Sequence, residues 1–150
     1  MPIEGEYEPS ALDWVREQVE RYEASGGTEA NTLRDTGIPI VVVTMRGAGS
    51  GKVRKIGLMR VEHAGKYALI ASYGGRPSHP AWYANLRADP HVMIQDGPEP
   101  RDYVVREVTG DERKEWWERS VAVYPPYADY EVSAREHGRT IPVLVAEPVD

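Results

Sequence analysis

The sequence predicts an α+β fold, a small barrel of about six mainly antiparallel strands with helices packed around it. Three observations carry this expectation. Short runs rich in β-branched residues are separated by turn-forming residues and follow one another as hairpins do. Segments with helical periodicity stand at the start, in the middle and near the end of the chain. A regular strand–helix–strand–helix alternation is missing, which argues against a doubly wound parallel sheet. At 150 residues the expected organisation is one domain, 1–150, with a helix and linker over 1–37 and the barrel over 38–147.

The first helix is expected over 10–23. Ser10 is placed to cap it, with Asp13 three residues on, and Leu12, Val15, Val19 and Tyr22 form one apolar stripe. That stripe suits packing on the domain itself, or contact with a membrane surface or a partner. Residues 25–37 contain a Gly-Gly pair and no periodicity, and read as a linker. The run IPIVVVTM, 38–45, is a buried strand with Pro39 at its tolerant start. As an edge strand it would offer a pairing surface for a homodimer, the alternative being a monomer. Strands over 53–63 and 66–73 come next, joined by HAGK, whose glycine suits a tight hairpin.

GGRPSHP is a loop, and 80–89 is a helix with Pro80 in its first turn. Strands over 91–97 and 101–108 are joined by DGPEP. Thr109 and Glu112 form a capping-box pattern for a helix reaching about residue 123. A further helix ends at Gly138, and TIPVLVAEP closes the chain as a strand. Trp116 and Trp117 are neighbours about 100° apart on a helix, so one belongs in the core and one near the surface.

Composition narrows the function. Cysteine is absent, which removes disulfides, thiolate metal sites and dithiol redox chemistry, so redox work needs a bound cofactor. His63, His79, His91 and His137 show no metal-ligand spacing, and His79 and His91 read as cap and strand residues rather than bases. A net charge of −6 argues against nucleic acid as a partner. The acidic N-terminus has no apolar h-region, and a cytoplasmic location is expected. Phe is absent beside nine Tyr and four Trp, so the aromatic surface carries polar handles suited to a ligand site.

Against this acidic background RGAGSGKVRKIGLMR, 46–60, gathers glycines and cations without one carboxylate. It is not a phosphate-binding P-loop: that pattern needs glycine at 46 and Ser or Thr at 53, where Arg46 and Val53 stand. The residues after the loop are strand-like, with no helix N-terminus to hold a triphosphate. A glycine-rich turn still presents N–H groups to an anion, and Lys52, Arg54, Lys55 and Arg60 add charge. In an extended strand Arg54 and Arg60 share one face and Lys55 takes the other. The alternative is a solvated turn and a charged edge strand.

Three segments in order, GSGKVRKIGLMR, LIASYGG…HPAWYANLRADPHV and AVYPPYADY…TIPVLV, resemble the deazaflavin-dependent nitroreductase family. These are small split β-barrel (FMN-binding-like) enzymes that use coenzyme F420 to reduce quinones and related acceptors. The similarity spans about residues 37–147. The family's loop pattern G-x-x-[ST]-G-x-x-R is met by Gly47, Ser50, Gly51 and Arg54, which by resemblance hold the phosphate of the cofactor tail, with Lys52 and Lys55 in support. Gly57 and Met59 belong to the same cofactor segment. Ile70, Ala71, Ser72, Tyr73, Gly74 and Gly75 match the stretch against the deazaflavin ring, where glycine permits close backbone approach. Trp82 and Asn85 match the helix after that loop.

The resemblance also implies that Tyr124, Tyr127 and Tyr130 line the acceptor pocket, on a helix started by Pro125 and Pro126. With Ser72 they would bond the acceptor oxygen as it gains charge. The chain departs from some members at Ala48 and Gly49, where they are basic, and at Tyr73, where they carry Lys. The implied activity is hydride transfer from reduced F420 to a quinone, nitroaromatic or conjugated enone. An FMN-dependent oxidoreductase on the same barrel and a non-enzymatic F420 carrier are the alternatives. A lipid-tailed quinone would give the first helix a peripheral membrane role.

Overall fold

The computed structural model describes residues 3–149. Among them seven strands form one antiparallel sheet in the order β2-β1-β5-β6-β7-β4-β3. They are β1 (Ile40–Arg46), β2 (Val53–Met59), β3 (Glu62–His63), β4 (Lys66–Ile70), β5 (His91–Gln95), β6 (Pro100–Glu107) and β7 (Val143–Pro148). The helices are α1 (Asp13–Ala24), α2 (Ala81–Ala88), α3 (Gly110–Val123) and α4 (Pro126–Glu136). The expected strand 53–63 breaks at Arg60 and Val61, which accounts for seven strands rather than six. This break closes the fold. Arg60 N–H donates to the Pro39 carbonyl (2.9 Å) and Ala68 N–H to the Val61 carbonyl (2.9 Å), so one sheet edge feeds into the other and the sheet curls into a split barrel.

Side chains alternate across the sheet with period two. Val41, Val43 and Met45 of β1, Tyr67 and Leu69 of β4, and Leu144 and Ala146 of β7 fill the barrel interior. Their neighbours face outward: Ile40 and Val42 pack under Val19 and Tyr22 of α1. Ala68, Ile70, Val143 and Val145 pack beneath α3 and α4, with Trp116. Strand β1 is thus buried on both faces, which explains its unbroken β-branched run. Trp116 is the core tryptophan and Trp117 the half-buried one.

Several expectations change. Strand β1 lies between β2 and β5, so it is not an edge available for dimer pairing. Helix α1 begins at Asp13, because the Ser10 hydroxyl accepts the Leu12 N–H outside the helix (3.2 Å). Thr109 occupies the N-cap of α3, but Glu112 makes no capping box: its carboxylate pairs with Arg106 on β6. The linker 25–37 contains a 3-10 turn, Arg34–Thr36, and is tied to β1 by Ile40 N–H to the Asn31 carbonyl (3.0 Å). No helix among the described residues is long and apolar enough to cross a membrane.

Candidate active site

A cavity of about 600 Å³ opens where β2, the end of β4, α2 and the start of α4 converge, a size ordinary for a cofactor or substrate site. One wall is β2, from Arg54 through Ile56, Gly57, Leu58 and Met59. A second is the turn after β4, with Ile70, Ser72, Tyr73 and Gly74. Helix α2 contributes Trp82 and Asn85, and the α3–α4 junction contributes Tyr124, Tyr127 and Tyr130. Segments far apart in sequence therefore meet as the resemblance implied.

The turn is built from successive left-handed residues, Tyr73 (φ 48°), Gly74 (64°) and Gly75 (75°). Left-handed backbone at a tyrosine is strained, and such strain concentrates at ligand sites. Ala71 and Gly75 do not face the cavity. Ala71 is fully buried in the barrel interior. A Cβ on Gly75 would lie 2.6 Å from the Tyr130 carbonyl oxygen, so its close approach is to α4. Both residues seat the turn.

The basic loop is more self-contained than its sequence suggested. Gly47 N–H donates to the Lys52 carbonyl (2.7 Å), Gly51 N–H to the Gly47 carbonyl (2.9 Å), and Lys52 N–H to the Ser50 hydroxyl (3.1 Å). A Cβ on Gly47 would sit 2.9 Å from the Ser50 hydroxyl, so a larger residue there would make the Ser50 side chain rotate away. Asn85 Oδ1 accepts the Ala48 N–H (2.9 Å), so Asn85 anchors this loop to α2. Gly47, Ser50, Gly51, Lys52 and Lys55 lie outside the cavity lining; Arg54 reaches it.

The cations already have carboxylate partners. Residues 6–8 run along the outer edge of β2, with Val53 N–H to the Glu6 carbonyl (2.8 Å) and Glu8 N–H to the Val53 carbonyl (2.9 Å). This places Glu8 on Arg54 (3.1 Å) and Glu6 near Lys52 (3.7 Å). Lys55 turns to Glu23 of α1 (2.6 Å). Arg60 meets Asp96 (2.8 Å), so the two arginines expected on one face serve different places. An anion reaching Arg54 competes with Glu8.

The tyrosines form a cluster rather than a helical stripe, since Tyr124 precedes α4. Ring centroids lie 5.0 Å apart for Tyr124–Tyr127 and 6.3 Å for Tyr127–Tyr130. The Tyr124 and Tyr130 hydroxyls are hydrogen-bonded to each other at 3.1 Å. That bond and burial push the Tyr124 phenol up to about 12. Burial, then the neighbouring phenols, push Tyr127 up as well.

Sequence reasoning missed several contributors, among them Met45 of β1, Ile56 and Leu58 of β2, and Pro80 and Ala81 at the start of α2. Trp14 and Val15 of α1, with Leu33 from the linker, line the cavity mouth. The available signal was Trp14 lying off the apolar stripe of its helix; it is 43 % exposed, with the Arg34 guanidinium 4.5 Å over its ring. Arg139 is a further one, behind the lining. It is buried behind the Tyr73–Gly75 turn and donates to His79, so that histidine is an acceptor and not a cap. His91 opens β5 as a strand residue.

A split barrel with a cavity of this size, lined by an arginine, a glycine-rich turn and Tyr124, Tyr127 and Tyr130, has the features a cofactor-dependent redox enzyme needs. Comparison with known proteins makes this specific: residues 14–148 match the F420H(2)-dependent quinone reductase family, and the chain belongs to that family. Rv3178 of Mycobacterium tuberculosis, named as a candidate F420H(2)-dependent quinone reductase, is 30 % identical over 111 residues, covering 74 % of this chain and 91 % of that one. A solved F420-H2 dependent reductase, FDR-A, is 50 % identical with a TM-score of 0.67, covering 73 % of this chain and 94 % of that one. A structure described as a domain-swapped dimer is 48 % identical with a TM-score of 0.70, covering 92 % of this chain and all (100 %) of the other. The chain is therefore an oxidoreductase that depends on F420.

Proposed function

We propose that this protein uses reduced F420 to reduce a quinone bound in the cavity under Tyr124, Tyr127 and Tyr130. One observation carries the reading: the same cavity brings Arg54, the left-handed turn and the phenol cluster together. The residues present fit the cofactor. Arg54 is a charged donor for a phosphodiester, and the turn at Ser72, Tyr73 and Gly74 offers backbone to a flat ring. When bound, the reduced deazaflavin supplies the hydride. The chain's own part is orientation, exclusion of water by Ile56, Leu58, Ile70 and Trp82, and hydrogen bonds from the tyrosines and Ser72 to the acceptor oxygen. Lys52, Lys55, Ser50 and Gly51 shape and charge the approach for the tail. Nitroaromatics and conjugated enones fit as further acceptors, because each develops oxygen charge that phenols stabilise.

Titration of purified protein with F420, and with FMN alongside, tests the cofactor arm; anaerobic mixing of the reduced complex with a naphthoquinone tests the acceptor arm. Tight F420 binding followed by rapid reoxidation is expected. Binding without reoxidation by any quinone removes the acceptor assignment.

Arg54→Ala is expected to weaken F420 binding by about 1.5–3 kcal/mol, as a charged hydrogen bond to phosphate is worth. Unchanged affinity excludes Arg54 from the tail site. Glu8→Gln should act oppositely and tighten binding up to about fivefold, since the exposed pair it releases is worth at most about 1 kcal/mol. Weaker binding in Glu8→Gln shows that the 6–8 segment orders the site instead of competing for it.

Trp14 lines the cavity and Leu12, two residues before it, is 58 % exposed, so together they offer an apolar face by which a lipid-tailed quinone would enter from a membrane surface. Co-sedimentation with anionic vesicles should drop in Leu12→Ser/Trp14→Ser; no sedimentation of the parent protein removes the membrane role. A homodimer completes the reading, supported by the dimeric relative.

A further inference from the structure

We propose that Arg139 is a positioning residue: it fixes the turn whose Ser72, Tyr73 and Gly74 face the cavity where the cofactor ring would lie, so hydride transfer depends on it more than tail binding does. This rests on the proposed use of F420.

Arg139 follows Gly138, whose left-handed backbone (φ 71°) ends α4. It is only 6 % exposed. The carbonyls of Ser72 (2.9 Å) and Arg76 (3.0 Å) accept from Nη1, and the Ala71 carbonyl accepts from Nη2. His79 Nδ1 accepts from Nε at 2.8 Å. No carboxylate is among these partners. Burial of a guanidinium on neutral acceptors is costly, and such costs persist where geometry is needed.

In a trans peptide the N–H points opposite the C=O. With the Ala71 and Ser72 carbonyls held on the guanidinium, the N–H groups of Ser72 and Tyr73 point away from it, and Ser72 and Tyr73 line the cavity. One planar fork therefore sets two amide donors at once, which a lysine ammonium does not reproduce. The far end of the turn is held independently by the Ser133 hydroxyl donating to the Gly75 carbonyl (3.0 Å).

His79 must keep Nδ1 unprotonated to accept. Arg139, the Tyr83 ring at 4.8 Å, and the charges of Glu107 and Arg87 face it. Burial, then Arg139, lower its pKa. With the folded pKa depressed, the unfolded chain takes the proton first as pH falls below about 6.5. Its contribution to stability is full above that pH and declines below it, and the contact itself breaks only as pH falls further, through the lower folded pKa.

Arg139→Lys and His79→Leu test the proposal in the full chain, with F420 affinity, kcat and hydrogen exchange of the unliganded protein measured together. Arg139→Lys should lower kcat about 10- to 100-fold, and His79→Leu by a smaller factor, as misalignment of reacting groups does. F420 affinity should change by no more than about threefold, the signature of an effect confined to the reacting geometry. Amides at 71–76 should exchange about tenfold faster without ligand, while β1 and β5 stay protected. Parent-like kcat in either variant overturns the proposal, as does an affinity loss equal to the kcat loss. A parent protein that does not bind F420 overturns the proposed function instead; unchanged exchange at 71–76 then overturns the role of Arg139 separately. Should Arg139→Lys not fold, His79→Leu decides by the same criteria.

Discussion

Gly75→Ala should lower the thermal midpoint by about 6–20 °C, from about 3–5 kcal/mol of lost stability in a chain of this size. Two costs combine. The backbone at Gly75 is left-handed (φ 75°), which costs an L-residue about 1–2 kcal/mol. The new Cβ would also sit 2.6 Å from the Tyr130 carbonyl oxygen, 2.9 Å from Ser133 Cβ and 3.0 Å from Tyr130 Cα. Two of those atoms are helix backbone, so no rotamer change relieves the contact; α4 must move off the turn. Gly74→Ala is the matched control, because Gly74 is equally left-handed (φ 64°) but meets nothing within 4 Å. It should lose only about 1–2 kcal/mol. Circular dichroism melts of both variants separate strain from contact. Equal midpoints would mean that the turn does not seat tightly on α4, and that the ring wall and the tyrosine helix are not one unit.

The contrast between these glycines shows what the sequence carried. GG after a β-branched run marked a turn, and the resemblance implied a ring site, yet nothing local said which glycine faced the cavity and which met a helix. Hairpins were legible because each is set by its own turn residues: Ala64 (φ 54°) and Gly65 (φ 81°) connect β3 to β4 as HAGK suggested. Sheet order was not. Strand β1 pairs with β5, and β4 with β7 across most of the chain, through contacts that leave no local pattern. Charges behaved likewise. Arg54 was found by its place in the loop pattern, but the pairing of Glu8 with it depends on residues 6–8 running beside β2. The Thr109–Glu112 pattern was locally sound and lost to Arg106, which offers Glu112 a two-pronged ion pair (2.5 and 2.8 Å). Arg139 left no sequence signal, since its partners are backbone carbonyls and one histidine distant in sequence.

The Tyr124–Tyr130 pair should show strongly non-additive kinetics. Across a single O–H···O bond one hydroxyl donates and the other accepts, so the accepting hydroxyl keeps its own proton free for a third group. The pair thus offers the cavity one outward donor, whichever tyrosine supplies it. Tyr124→Phe leaves Tyr130 able to donate outward, and Tyr130→Phe leaves Tyr124 able to do so. Each single change should lower kcat for quinone reduction about 3- to 10-fold, by loss of polarisation and positioning. The double change removes the donor and should cost about 300- to 1,000-fold, beyond the roughly 9- to 100-fold product of the two single losses and within the usual scale for one donor at a developing oxyanion. F420 affinity should stay near the parent value throughout. The pH profile sharpens the test. The folded Tyr124 phenol is raised to about 12, so the donor form persists beyond the ordinary tyrosine range near 10, and its ionisation should not depress kcat between about pH 6 and 9. Such a phenol is a poor proton source at neutral pH, so its contribution is the hydrogen bond rather than the transfer. Additive effects in the double variant would show two separate contacts with the acceptor. A double variant with parent kcat would take both hydroxyls out of the reaction and leave Tyr127 and Ser72 as the donors.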